Sequence, residues 1–152
     1  RRFILFSILP LRSDFVILYT DIFYHISMFQ SMNLRGKMKM NTKELKRKWI
    51  DFCLTFADAY EDCPFDDETV VVRHRKNKKI FALFFEREGE IWINFKGDPM
   101  QSDLWRKVYS SVTAGYHMNK IHWNTVKIPG DVPEEEVKAM LSESHFLTKP
   151  KK

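Results

Sequence analysis

Residues 115–126, GYHMNKIHWNTV, bring His117, Lys120, His122, Asn119 and Asn124 together with Tyr116, Met118 and Trp123. An imidazole titrates near neutral pH, so His117 or His122 could act as a general base while an asparagine amide orients a substrate. No nucleophile elbow, phosphate loop or paired carboxylate accompanies them, so His-based catalysis is the minor alternative and no catalytic residue is assigned. The spacing of five between the histidines fits neither a zinc-binding helix face nor a finger, and carboxylate and thiolate ligands are missing beside them. No metal and no cofactor are expected. The same block also reads as architecture. Gly115 would supply backbone freedom, Tyr116, Met118 and Trp123 would fill a core, and the Asn119 and Asn124 amides would hold a turn. A small-ligand pocket lined by Tyr116, His117, Trp123 and Asn124 is a third reading.

A second chemical feature is RHRKNKK at 73–79, with Arg73, His74, Arg75, Lys76, Lys78 and Lys79 around a predicted hairpin tip. Cations on a protruding turn can reach phosphates while a sheet behind them fixes their register. Arg106, Lys107, Lys120 and the tail residues Lys149, Lys151 and Lys152 could widen such a surface. The plainer reading is a solvated turn that keeps an edge strand from pairing with other chains. Nothing in the pattern sets an element in a groove, so any DNA binding is expected to be phosphate-dominated and weakly specific.

The chain of 152 residues is sized for one domain, and its formal charge is +5. The charge is unevenly placed. Residues 1–39 hold six cations against two acids, a net of +4, which leaves nineteen against eighteen, +1, for residues 40–152. Bulk basicity is therefore weak grounds for nucleic-acid binding by the main domain. The apolar runs of residues 1–40 are broken by Pro10, Arg12, Asp14 and Asp21, too short for a membrane span and without a small-residue cleavage site. We expect translation to begin at Met38 or Met40, with residues 1–40 an extension outside the natural fold. Cys53 and Cys63 match no CxxC pattern, and a reducing cytoplasm is the default. Cys53 lies on an apolar helical stripe, and Cys63 sits in an acidic loop that disfavours its thiolate.

From residue 41 onward the elements are regular. Asn41 with Glu44, Asp98 with Gln101 and Pro99, and Asp131 with Glu134 each read as a capping box opening a helix. The first helix, about 42–57, aligns Leu45, Trp49, Phe52, Cys53 and Phe56 on one stripe, and the third repeats that spacing with Val137, Met140 and Leu141. TVVVRH, KIFALFFE and EIWINF read as a three-strand meander, and SVTAGYHM and HWNTVKI as two more strands. The expected fold class is α+β, a two-layer sandwich with an antiparallel sheet of about five strands packed against about three helices, residues 41–152 forming a single domain.

CPF at 63–65, KIFALFF at 79–85, INFKGDP at 93–99, GYHMNKIHWNTV, and VPEEEVKAML followed by SES and TKPKK together resemble the MmcQ/YjbR family of small bacterial proteins. The resemblance covers about residues 42–152. It implies a frataxin-like (CyaY-like) fold and, by structural analogy, a double-wing DNA-binding role, with no established enzymatic activity and no cofactor. At His145 the family more often carries tyrosine. Frataxins use an acidic first-helix surface for iron, whereas here that helix bears Lys43, Lys46, Arg47 and Lys48, which counts against iron. The expected function is DNA binding through Arg73, Arg75, Lys76, Lys78, Lys79 and Lys120 on a basic hairpin wing. The alternative is a non-enzymatic small-ligand or protein-interaction module using residues 115–126. The oligomeric state is left open, and no membrane partner is expected.

Overall fold

The computed structural model describes residues 41–151; the readings made for residues 1–40 and for Lys152 lie outside the described residues. The helices are α1 (Thr42–Leu54), α2 (Pro99–Val108) and α3 (Glu134–Thr148). The strands are β1 (Ala59–Asp62), β2 (Val70–His74), β3 (Ile80–Arg87), β4 (Glu90–Lys96), β5 (Val112–Ala114) and β6 (Trp123–Ile128). They form one sheet in the order β1-β2-β3-β4-β6-β5, every pair antiparallel. The class is α+β, as the pattern of elements predicts.

One capping box holds in full, one in half, and one is corrected. Asn41 and Glu44 form the reciprocal box of α1. At α2, Pro99 takes the first position and Asp98 accepts from the Met100 and Gln101 amides, while the Asp98 amide is taken by Glu143 at 2.9 Å and not by Gln101. At α3 the cap is Pro133, with no side-chain bond. Asp131 instead accepts from the amides of Ser110 (2.7 Å) and Ser111 (3.0 Å) and from the Ser111 hydroxyl, pinning the turn into β5. Those donors hold its carboxyl well below the usual range.

The sheet has six strands. The one unforeseen, β1, carries the acid-rich AYED at an edge, where alternation is weak. β5 is shorter than expected, because the chain leaves the sheet after Ala114 and returns only at Trp123. Between the sheet and helices α1 and α3 lies the core, including Trp49, Val72, Phe84, Ile93, Phe95, Val126, Met140 and Leu141. Pairing jumps from Val72↔Ala82 to Arg73↔Ile80, so Phe81 is an extra residue on β3. This bulge lets Phe81 and Ala82 both be fully buried in the core cluster. Ser144 of α3 ties helix to sheet: its hydroxyl donates to the Phe81 carbonyl (2.5 Å) and accepts from the Lys96 amide (2.7 Å). Buried Cys53 is wrapped in apolar groups, which pushes its thiol pKa far up and keeps it protonated. No helix among the described residues is long and apolar enough to cross a membrane.

Candidate functional site

The β2–β3 hairpin lies at the end of the sheet where α3 also finishes. Asn77 at its tip donates to the Thr148 carbonyl (2.9 Å), the last residue of α3, and thereby sets Lys149 and Lys151 beside the hairpin. The six cations predicted for this surface do different things. Lys76 and Lys79 are exposed, and Arg75 and Lys78 sit over the Tyr60 ring at 5.3 and 4.9 Å. Arg73 is turned inward. Its guanidinium faces Asp62 at 3.3 Å and donates to the Lys78 carbonyl at 3.1 Å, leaving little of it for a ligand. His74 is buried, its Nε2 2.9 Å from the Thr148 hydroxyl. Lys120 lies in the loop that leads into β6, at the same end of the sheet but beyond β4, and its ammonium is taken by the Gly115 carbonyl at 2.7 Å. Lys149 and Lys151 thus join the hairpin, whereas Arg73 and Lys120 do not.

Arg106, read from sequence as part of that surface, is an internal brace. It donates to Asn124 Oδ1 (2.8 Å), to the Lys120 carbonyl (2.9 Å) and to the Trp123 carbonyl (3.0 Å). Asn124, fully buried, passes the network on by donating to the Ser102 hydroxyl at 2.8 Å. Within the loop, Asn119 turns the chain as expected, its side chain accepting from the Ile121 amide and its carbonyl from the Trp123 amide. His122 is exposed, and its carbonyl accepts from Gly97.

Tyr116 and Met118 do not fill the helix-side core. They lie over the opposite face of the sheet. There the Asn94 amide donates to the Tyr116 carbonyl (3.0 Å), the Thr125 hydroxyl donates to Asn94 Oδ1 (2.6 Å), and the Tyr116 amide donates to the same hydroxyl (2.9 Å). This buried polar trio fastens the loop above the sheet. The Tyr116 ring packs against Phe85 and Trp92, with Arg87 over both Trp92 and Tyr116 and Lys127 over Trp92. The positive backbone angle falls at His117 (φ 53°) and not at Gly115. Gly115 is required by close approach: a Cβ there would stand 2.7 Å from Trp123 Cβ and 3.0 Å from its backbone. Gly115→Ala is therefore expected to destabilise the domain by about 1–3 kcal/mol through overpacking, read as a lower urea midpoint at unchanged slope.

Between this loop and the β1–β2 connection opens a pocket of about 450 Å³, walled by Phe65, Leu83, Phe85, Asn94, Tyr116 and Met118. His117 faces it as well; Trp123 and Asn124, predicted as lining, do not. Sequence reasoning missed Phe65, Leu83, Phe85 and Asn94 as site residues. A signal was there: KIFALFFE is apolar at successive positions, where a strand with one solvated face would alternate.

The YjbR family model matches residues 54–147. The chain belongs to the YjbR family. Relatives of this YjbR protein include the uncharacterized protein YbdF of Escherichia coli O157:H7, 39% identical over 69 residues, which are 45% of this chain and 57% of YbdF. The uncharacterized protein YyaQ of Bacillus subtilis (strain 168) is 34% identical over 88 residues, 51% of this chain and 74% of YyaQ. The chain spans a little over half the length of the Escherichia coli relatives it matches. Among solved structures, protein DR2400 of Deinococcus radiodurans is similar at a TM-score of 0.63 and 30% identity, covering 69% of this chain and 78% of its own. A Pseudomonas syringae protein is similar at a TM-score of 0.61 and 27% identity, covering 68% and 98%.

Proposed function

We propose that this YjbR domain binds DNA through phosphate contacts at the end of the sheet where the β2–β3 hairpin meets the C-terminus of α3. The observation that carries the reading is the Asn77–Thr148 hydrogen bond, which gathers cations from two distant chain segments on one surface. Beside Arg75, Lys76, Lys78, Lys79, Lys149 and Lys151 the acids are held by other groups: the Asp58 carboxylate and carbonyl accept from the Lys76 and Arg75 amides, and Asp62 pairs with Arg73. Such a patch neutralises phosphates without reading bases, so affinity should carry little sequence preference. The reading is of a binding domain and not of an enzyme.

Fluorescence anisotropy of a labelled duplex, titrated at several salt concentrations, is the test. With roughly four phosphates neutralised, the log-log slope is expected near −3.6, and affinity should fall about a hundredfold between 50 and 200 mM salt. Replacing Lys76, Lys79, Lys149 and Lys151 by Gln should flatten that slope, whereas Lys120→Gln should leave it unchanged. A flat salt response in the parent protein, or a slope indifferent to the four substitutions, sinks the reading.

A further inference from the structure

The pocket on the open sheet face is separate from the basic surface and has the opposite electrostatic character. Its floor and walls are apolar or aromatic: Phe65, Leu83, Phe85, Tyr116 and Met118. Phe65 is 65% exposed, an unusual position for a phenylalanine. The charged residues that line the pocket are Asp66, Glu68 and Glu86, and no lysine or arginine of the described residues lines it. Arg87 is held over Trp92 and Tyr116, outside the lining. Asp66 is fixed in its ionised form by the Thr69 amide and hydroxyl and the Glu68 amide, which hold its carboxyl below the usual range. The floor is preformed, because the Asn94, Thr125 and Tyr116 bonds hold the loop above the sheet without a ligand.

Aromatic rings and carboxylates share one preference: both attract a cation, and the apolar walls reward a ligand that also has a dry body. An anion would meet three carboxylates, and the nearest cation, Lys46 beside Asp66, is outside the lining with its ammonium taken by the Glu68 carbonyl. We propose that this pocket binds a small organic ammonium ion carrying an aromatic body, with the body against Leu83, Phe85 and Tyr116 and the ammonium toward Asp66 and Glu68. The volume of about 450 Å³ admits a bicyclic ring with a short side chain and falls within the ordinary range for small-ligand sites. The site is independent of DNA binding, since no hairpin cation lines it.

Tryptamine and indole-3-propionate are probes of similar shape and opposite charge. Titrated into the full chain and followed by amide NMR, tryptamine should shift the signals of Leu83, Asn94, Tyr116 and Met118 and leave Lys76 and Lys79 unmoved. It should bind roughly tenfold more tightly than indole-3-propionate. Phe65→Ala and Glu68→Gln, at exposed positions that the fold does not need, should each weaken tryptamine several-fold with the urea midpoint unchanged. Equal or tighter binding of indole-3-propionate overturns the cation assignment. Tryptamine shifts that map elsewhere, or that are absent at millimolar concentration, overturn the site.

Discussion

Arg106→Met is expected to cost the domain about 3 kcal/mol, because two part-buried acceptors, Asn124 Oδ1 and the Trp123 carbonyl, lose a charged donor worth about 1.5 kcal/mol each. The third acceptor, the Lys120 carbonyl, is exposed and can turn to water, so it adds little. The 4.0 Å approach to Asp103 also adds little, since that carboxylate is largely in solvent. Methionine keeps the packing of the arginine stem, so the loss isolates the guanidinium. Urea unfolding checks the size, with Lys107→Met on the same helix as a control expected to stay within about 0.5 kcal/mol. The variant also separates two roles for one residue. A phosphate ligand at 106 would lower DNA affinity and leave stability alone; a brace does the reverse.

Arg106 illustrates why the fold was more legible than the site. Helices α1 and α2 announce themselves through short-range chemistry, a cap and a stripe, which a linear sequence displays directly. The same holds for β3 and β4, whose apolar runs are long enough to outvote their flanks. An arginine on a helix looks the same in sequence whether it faces solvent or reaches eighteen residues along the chain to Asn124. Asp131 misled in a similar way. Its spacing to Glu134 fits a capping box, yet Ser110 and Ser111, twenty or so residues earlier, offer it three donors, more than a helix end could. Residues 115–126 drew attention by composition, but their roles separate by side of the sheet. Asn124 joins the brace under α2, whereas Tyr116, His117 and Met118 cross to the open face, and the loop that divides them is invisible to strand periodicity.

The hairpin and the tail show how a charge count becomes a surface. Residues 40–152 carry a net of only +1, which alone would say little about nucleic acid. Topology changes that reading by segregation. Acids collect along β1 and the β1–β2 connection, where Glu61 and Asp62 pair with Arg47 and Arg73, and in the first turn of α3, where Glu134 meets Lys48. The cations of the hairpin and tail are left at the opposite end of β2. A near-neutral domain can thus present one basic end and one acidic pocket, each suited to a ligand the other would repel.

Acid should destabilise this domain well above the pH at which its carboxylates titrate, because two histidines are buried as neutral rings. His74 and His145 stack at 4.6 Å between centroids, enclosed by Phe56 and Phe81. Burial lowers the pKa of each, and for His74 the neighbouring His145 charge adds to the effect; Lys149 also lowers both, outweighing the pull of Asp58 at His145 but not at His74, and the Ala57 carbonyl holds His145 back. The Thr148 hydroxyl donates to the Ser144 carbonyl, so His74 must donate to it through Nε2, and His145 donates through Nε2 to the Ala57 carbonyl. Those bonds place a proton on Nε2 of each ring, and it is burial that favours the neutral form. The unfolded chain takes up protons near pH 6.5 and the folded one only below that, so stability is full above about pH 7.5 and declines as pH falls through 6.5. The slope approaches at most about 1.4 kcal/mol per pH unit for each ring, or about 2.7 for both. Asp66, Asp131 and Glu134 have depressed values, so their contributions persist through this window and are lost only at lower pH. Urea midpoints between pH 5 and 8 measure the slope directly. His145→Phe keeps the ring stack and removes one titrating group, so it should roughly halve the slope; an unchanged slope would place the titration elsewhere. The pair also sits beneath Lys76 and Lys149, which line the same shallow cavity. Loss of packing there on acidification should therefore loosen the junction of hairpin and α3 first, at a pH where the domain as a whole is still folded.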